Sequence, residues 1–142
     1  MASSSNPTPS VASVSPALAR LANQAQIEFE LEFFAALLER RPDYVEALKA
    51  HAKNLALAKR HHEGLQYDRR ITKIRPQDCL ARYNLACSLA LTRHYDEALA
   101  ELRRAVELGY RDFTFMKQDR DLDAVRKDPR FRALLRDYER KR

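Results

Sequence analysis

Apolar residues recur at helical spacing through most of the chain, beginning near Ala17. Residues 17–41 carry two neighbouring apolar stripes, which are Ile27, Leu31, Phe34 and Leu38 in the first and Phe29, Phe33 and Leu37 in the second. Together the stripes cover about 200° of a helix surface, about twice what a helix packed on one side needs. The pattern predicts one long helix over residues 17–41 that is either sandwiched between neighbouring helices or used in self-association.

A sequence repeat follows this helix. Pro42 and Pro76 are 34 positions apart, and the segments after them, 42–75 and 76–109, align without a gap. Proline cannot continue a helix, so each proline is expected to follow the end of one. Within the two segments the apolar spacing predicts two pairs of helices, roughly 44–59 with 62–74 and 78–92 with 95–108. Asp43 with Glu46 has the spacing of a capping box and predicts a helix start there.

Small residues recur in both segments where the paired helices would cross most closely, since large side chains would force the helices apart. They are Ala52, Gly64, Ala86 and Ala98. The second segment also contains the run Tyr83-Asn84-Leu85-Ala86, followed by Tyr95-Asp96-Glu97-Ala98-Leu99. With the period of the repeat, these runs make residues 26–110 resemble the tetratricopeptide repeat (TPR) family.

The resemblance implies an all-α fold in which antiparallel helical hairpins stack as a short right-handed solenoid with capping helices. Two features depart from the family pattern. His51 and Asp68 stand where the family usually has apolar residues. The glycine that the family favours between the two helices is replaced by Lys59-Arg60 in one unit and Arg93-His94 in the other.

The two ends of the chain differ from the repeats. Residues 1–16 contain six serines, one threonine and three prolines, which predicts a disordered tail. Residues 110–142 resemble the degenerate segment that closes some bacterial TPR arrays. There a helix is expected to begin at Asp128-Pro129, with the aspartate as its cap, and to bury an apolar face. That face consists of Phe131, Leu134 and Leu135.

Charge leaves a second interpretation open. The chain has 26 Lys and Arg against 20 Asp and Glu, a net charge of +6, and residues 126–142 hold eight basic and three acidic side chains. Such a segment could attract nucleic acid or another polyanion. We favour a solubilising helix end, because Lys and Arg also complement the helix dipole.

No apolar run is long enough to span a bilayer, and the N-terminus does not have the pattern of a secretory signal. The two cysteines, Cys79 and Cys87, form no disulfide framework, which favours a reducing compartment. We therefore expect a cytoplasmic protein.

Several catalytic and metal sites are excluded by composition. The only glycines, Gly64 and Gly109, are 45 positions apart, too far for a P-loop, a dinucleotide fingerprint or a nucleophile elbow. Asp119, Asp121 and Asp123 match the first ligands of an EF-hand loop. However, Ala124 and Arg130 then occupy the places of its glycine and bidentate glutamate, so the aspartates are better explained by helix capping and surface charge.

The remaining candidates for chemistry are cysteine and histidine. Histidines 51, 61, 62 and 94 lack zinc-ligand spacing, and the last three are expected on solvated turns. A nucleophilic Cys87 stays an alternative, but a small, partly buried thiol fits its Ala/Leu surroundings better. We therefore expect no enzyme, no metal and no cofactor.

The resemblance places one candidate surface in the groove lined by the first helix of each unit. Its expected partner-binding residues are Lys49, Lys53, Tyr83, Asn84 and Cys87. Two lysines and an amide suit an acidic peptide or a C-terminal carboxylate. Lys49 and Asn84 match parts of the carboxylate clamp of chaperone-binding TPR domains, but Lys53 replaces its asparagine. We therefore predict a general protein or peptide contact surface, as in an adaptor or scaffold. The alternatives are polyanion binding through residues 126–142 and homodimerisation through the first helix.

Overall fold

A computed structural model describes residues 15–139, which form seven α-helices and one 3-10 helix with no strand in that range. The helices are α1 (Pro16–Arg40), α2 (Val45–Leu57), α3 (His61–Ile74), α4 (Cys79–Leu91), α5 (Tyr95–Glu107), α6 (Phe113–Gln118), the 3-10 helix (Arg120–Leu122) and α7 (Pro129–Glu139). The all-α prediction is confirmed. The predicted disordered tail falls mostly on residues 1–14, which lie outside the described residues, but its last residue, Pro16, belongs to α1.

The helices keep the register of the repeat to the end of the described chain. Helices α2, α4 and α6 begin at residues 45, 79 and 113, and helices α3, α5 and α7 begin at 61, 95 and 129. The third unit departs from the first two only in its first helix, which is shortened to α6 and continued by the 3-10 helix. Within the described part of the predicted closing segment, α6 and α7 thus begin in the register of the repeat.

Each helix from α1 to α4 packs against the next in the chain, and the third unit closes on α4 and α5. The larger hydrophobic core joins α4 and α5 to the third unit through Leu89, Leu102, Phe113, Met116 and Phe131. Helix α7 begins as predicted, because the Asp128 carboxylate accepts a hydrogen bond from the Arg130 N–H at 2.9 Å. Its predicted apolar face also packs inward.

Helix α1 packs its first apolar stripe inward and only the last residue of the second, Leu37, which is partly buried against the core. Leu31 and Leu38 are buried and Phe34 packs beside them, whereas Phe29 and Phe33 are 63% and 52% exposed. Within residues 15–139, therefore, no neighbour sandwiches α1.

Helix α2 does not begin as the capping-box spacing predicts. Its N-cap is Tyr44, which makes no side-chain capping bond, so the predicted role of Asp43 is wrong. The cap appears instead one repeat later: Asp78 accepts hydrogen bonds from the N–H groups of Leu80 and Ala81 at 3.0 and 3.1 Å. A tyrosine cannot cap in this way, because its hydroxyl is too far from its own backbone.

The two hairpin turns are alike although neither contains glycine. Lys59 and Arg93, which occupy equivalent positions of the two units, have left-handed backbone angles with φ of 58° and 67°. The following amides close both turns in the same way, from Arg60 N to Leu55 O at 2.9 Å and from His94 N to Leu89 O at 2.8 Å. The turn geometry is therefore kept at a cost of about 1 kcal/mol for each side chain held in the left-handed region.

Candidate functional site

A groove with a volume of about 650 Å³ lies between α2 and α4, with α3 beneath it and the third unit along one side. All five residues predicted from sequence line this groove: Lys49, Lys53, Tyr83, Asn84 and Cys87. Lys49, Lys53 and Asn84 are exposed there. Lys49 and Tyr83 are repeat equivalents, as are Lys53 and Cys87, so residues 34 positions apart in the sequence line the same surface.

Four exposed apolar side chains also line the groove, and the sequence analysis did not select them. They are Leu57, Leu80, Leu91 and Phe115, which are between 36% and 57% exposed. A signal for two of them was present, since Leu57 and Leu91 are repeat equivalents. Exposed leucines clustered in a concave surface indicate an interaction site, because burying them releases ordered water.

Tyr83 and Cys87 offer less surface than predicted, because the third unit covers them. Their exposed fractions are 3% and 7%. The Tyr83 hydroxyl donates to Asp119 Oδ2 at 2.7 Å, and the Cys87 thiol donates to the same oxygen at 3.7 Å. Both side chains therefore form the wall of the groove and hold the third unit on α4.

Burial and the neighbouring Asp119 carboxylate raise the pKa of the Cys87 thiol far above its usual value. The thiol therefore keeps its proton, the opposite of what a nucleophilic cysteine needs.

Asp119 and Asp121 belong to the groove wall rather than to a plain solvated surface. Asp119 caps the 3-10 helix, as predicted, because its carboxylate accepts a hydrogen bond from the Asp121 N–H at 3.0 Å. Burial and the charge of Asp119 raise the pKa of Asp121. The side-chain ligand atoms of Cys87, Asp119 and Asp121 lie within 4.8 Å of one another, a spacing at which three groups could hold a metal ion. A metal there would first have to displace the proton that burial holds on the thiol.

Asp68, one of the two departures from the TPR pattern, lies in the floor of the groove. It is only 8% exposed, and its carboxylate accepts a hydrogen bond from Ser88 Oγ at 2.5 Å. Burial raises the pKa of Asp68 to about 6, against the opposing effect of the Ser88 hydrogen bond. An ionisable group that is kept in a groove at a cost to stability marks a functional candidate.

The other departure, His51, is buried behind the groove against the Tyr67 ring, at 4.6 Å between ring centroids. Burial, with the charges of Arg60 and Arg70, lowers the pKa of His51. The ring is therefore neutral at pH 7, and among the described residues its Nδ1 atom has no hydrogen-bond partner. It contributes apolar packing rather than charge. His61, predicted on a solvated turn, is half-buried in the groove lining instead.

The charge of the groove differs from the expectation of a basic surface. Lys49 pairs with Asp78 at 3.5 Å, and Lys53 forms no ion pair with any residue in the range 15–139. Carboxylates outnumber the two lysines in the lining: Asp68, Asp78, Asp119 and Asp121. The sequence identified both lysines but could not show that four carboxylates line the same groove.

Two of the five basic side chains in the described part of the basic segment 126–142 form ion pairs. Arg130 bonds Asp96 and Asp128, each at 2.9 Å, and Arg126 pairs with Asp123. The segment's acids are also engaged, Asp137 by Arg103 at 3.1 Å and Glu139 by Lys117 at 2.7 Å. These pairs lower the charge available to a polyanion; residues 140–142 lie outside the description.

Between residues 15 and 139, no helix combines the length and apolar character that crossing a membrane requires. Both cysteines are free thiols.

Comparisons with known proteins give limited information. No protein-family model matches the chain, and no solved structure matches it significantly. Among curated proteins, 60 residues of the chain are 33% identical to part of a chloroplastic protein from Arabidopsis thaliana. The aligned part is 42% of this chain and 18% of that relative, so the chain spans less than a fifth of the protein it resembles.

Proposed function

We propose that this chain is a non-enzymatic, TPR-type interaction module that binds an extended segment of a partner protein in the groove between α2 and α4. It would act as an adaptor or scaffold, presenting a surface held rigid by the stacked units. The recurrence of helix starts with the period of the sequence repeat supports the TPR assignment. The cytoplasmic location remains part of the same proposal.

One observation carries the proposal: four large apolar side chains are exposed together inside a groove of about 650 Å³. A chain of this size has the means to bury leucines and phenylalanines, as its core shows. Leaving four of them in water is costly, by about 25 cal/mol for each Å² of apolar surface. A partner segment that covers them recovers this free energy.

The non-enzymatic part of the proposal is supported by the state of the polar groups. The Cys87 thiol and the Tyr83 hydroxyl both donate to Asp119, and the pKa of each donor is raised, chiefly by burial. Groups held in their protonated form by burial position the third unit and are poor nucleophiles or bases.

The test is affinity capture from a nuclease-treated lysate of the source organism, with wild type and two variants. Leu80→Asn removes an exposed apolar side chain from the groove. Tyr95→Asn is the matched control, because Tyr95 is 40% exposed and lies outside the groove. We expect to capture lysate proteins that bind the wild-type chain and the Tyr95→Asn variant and do not bind the Leu80→Asn variant. If every captured protein binds all three forms of the chain, the proposal is contradicted.

A second candidate function, self-association, is favoured by the exposed face of α1. Leu18, Leu21, Phe29 and Phe33 are each more than half exposed, and residues 16–26 of α1 are exposed throughout. Sedimentation of wild type and of Phe29→Ser/Phe33→Ser tests it. A wild-type dimer that dissociates in the double variant supports this candidate. A wild-type chain that stays monomeric at about 100 µM, a concentration at which even a weak dimer would form, refutes it.

A further inference from the structure

The groove combines its apolar lining with an excess of negative charge. Lys49 is engaged by Asp78, which leaves Lys53 as the second lysine of a groove lined by three further carboxylates, those of Asp68, Asp119 and Asp121. Within residues 15–139, neither Asp119 nor Asp121 forms a salt bridge. Their mutual repulsion adds to the effect of burial in raising the pKa of Asp121. A cation placed between them would relieve that repulsion.

The groove that these carboxylates line also contains aromatic side chains. Tyr83 stacks on Tyr110 with 4.3 Å between ring centroids, and Phe115, half-exposed in the groove, lies 6.2 Å from Tyr83. An aromatic face next to carboxylates attracts a guanidinium or ammonium group through both its quadrupole and the neighbouring charge. Tyr83 is 3% exposed and offers no ring face to a ligand, so the half-exposed Phe115 ring is the aromatic feature that favours the same ligand chemistry as the carboxylates.

The net charge of the whole chain is opposite in sign to the charge of the groove. The chain carries a net charge of +6, so a basic segment is repelled by the molecule as a whole. Attraction of a basic ligand must therefore come from the carboxylates that line the groove.

We infer that the segment bound in the groove is basic: an extended peptide with an arginine or lysine side chain among its apolar residues. This inference rests on the proposed function of the groove. It reverses the charge expected from the two lysines alone. The cationic side chain would lie against Asp119, Asp121 and the Phe115 ring, and the apolar residues would cover Leu57, Leu80 and Leu91.

The experiment is selection of a phage-displayed library of random dodecapeptides against the folded chain. Enriched peptides are synthesised, and their affinity is measured by fluorescence anisotropy for wild type, Leu80→Asn and Tyr95→Asn. Peptides weakened by Leu80→Asn but not by Tyr95→Asn are taken as groove ligands. Their net charge is then compared with that of the unselected library.

Two charge variants test the assignment for these groove ligands. Asp121→Lys reverses an exposed carboxylate whose side chain accepts no hydrogen bond from the described residues, so the fold should be retained, as circular dichroism would check. Lys53→Gln removes the opposing lysine. For a basic peptide we expect about fivefold to tenfold weaker binding with Asp121→Lys, and stronger binding with Lys53→Gln. Raising the salt concentration should weaken the wild-type complex.

The outcomes separate the two proposals. Groove ligands that are acidic or uncharged, or that are weakened by Lys53→Gln and not by Asp121→Lys, overturn the basic-ligand inference and leave the groove as a binding site. If no enriched peptide depends on Leu80, the proposed function fails and the inference fails with it. Basic groove ligands with the expected response to both charge variants support both.

Discussion

Replacing Asp68 with asparagine should stabilise the fold at neutral pH and do much less at acidic pH. The folded-state pKa of Asp68 is about 6, above the ordinary value of 3.8, because of burial. Between these two values the folded protein keeps the proton while the unfolded chain releases it. Stability therefore falls as the pH rises from about 4 to 6, and the loss is complete above the folded-state pKa. Asparagine has no charge to bury and does not suffer this loss.

The magnitude follows from the two pKa values. A gap of about two pKa units corresponds to about 3 kcal/mol of lost stability at pH 7.5, and at pH 4.5 to about 1 kcal/mol. The introduced asparagine keeps an oxygen that can accept the Ser88 hydrogen bond, but its amide N–H groups need new partners, which costs about 1 kcal/mol or more at every pH. The test therefore compares, between pH 7.5 and pH 4.5, the change in the free energy of unfolding that the substitution causes. The change in free energy of unfolding caused by Asp68→Asn should be about 2 kcal/mol more favourable at pH 7.5 than at pH 4.5.

The assay is urea unfolding followed by circular dichroism at both pH values, for wild type, Asp68→Asn and Asp43→Asn. Asp43 is an exposed loop residue, so its variant controls for the loss of one negative charge. Because each variant is compared with wild type at the same pH, other titrating groups cancel. An effect of Asp68→Asn that is equal at the two pH values, within about 0.5 kcal/mol, would refute the reasoning that burial raises this pKa.

Three further predictions concern stability, each read from the free energy of unfolding in urea. Gly64→Ala should stabilise α3 by up to about 1 kcal/mol, because alanine favours a helix and the added Cβ has room, 3.8 Å from Leu55 Cβ. Gly109→Ala should destabilise the fold, because φ there is 117°. Lys59→Gly should stabilise the fold by about 0.5–1 kcal/mol, because glycine adopts the left-handed backbone angles of this position without strain. Ala58→Gly, where φ is −81°, should destabilise it, and stability changes of the same sign in both variants would contradict this reasoning. Leu102→Ala should cost about 2–5 kcal/mol, because Leu102 is fully buried; a loss under about 1 kcal/mol would mean that the core is misplaced.

The helical architecture could be predicted because its signals are local and periodic. Proline spacing and apolar stripes located every helix of the first two units to within about two residues. The cap of α2 could not be predicted from Asp43 and Glu46, because capping depends on which backbone angle the loop adopts, and the loop places Tyr44 at the helix start. The turns at Lys59 and Arg93 show the converse, since the surrounding packing imposes a conformation that neither side chain favours.

The candidate site was predictable only in part, for a related reason. The spacing of the repeat placed Lys49, Lys53 and Asn84 on one surface, and the structure brings them together. The contribution of Asp119 depends on how the third unit folds back on α4. Asp119 lies just after the shortened α6, at a position that falls inside the first helix of the other two units, so the repeat does not predict its placement. Two of the four carboxylates of the groove, those of Asp119 and Asp121, reach it through that contact between distant parts of the chain, so the excess of negative charge could not be predicted from the sequence.

Nuclear magnetic resonance mapping of a bound peptide tests the groove most directly. The ¹⁵N-labelled chain would be titrated with the tightest peptide from the dodecapeptide library, and the perturbed backbone amides assigned. We expect the largest shifts in α2, α4 and α6, with those of Lys53, Asn84 and Phe115 among them. Shifts confined to α1 or to residues 126–139 would show that the partner binds elsewhere and would contradict the groove as the functional site.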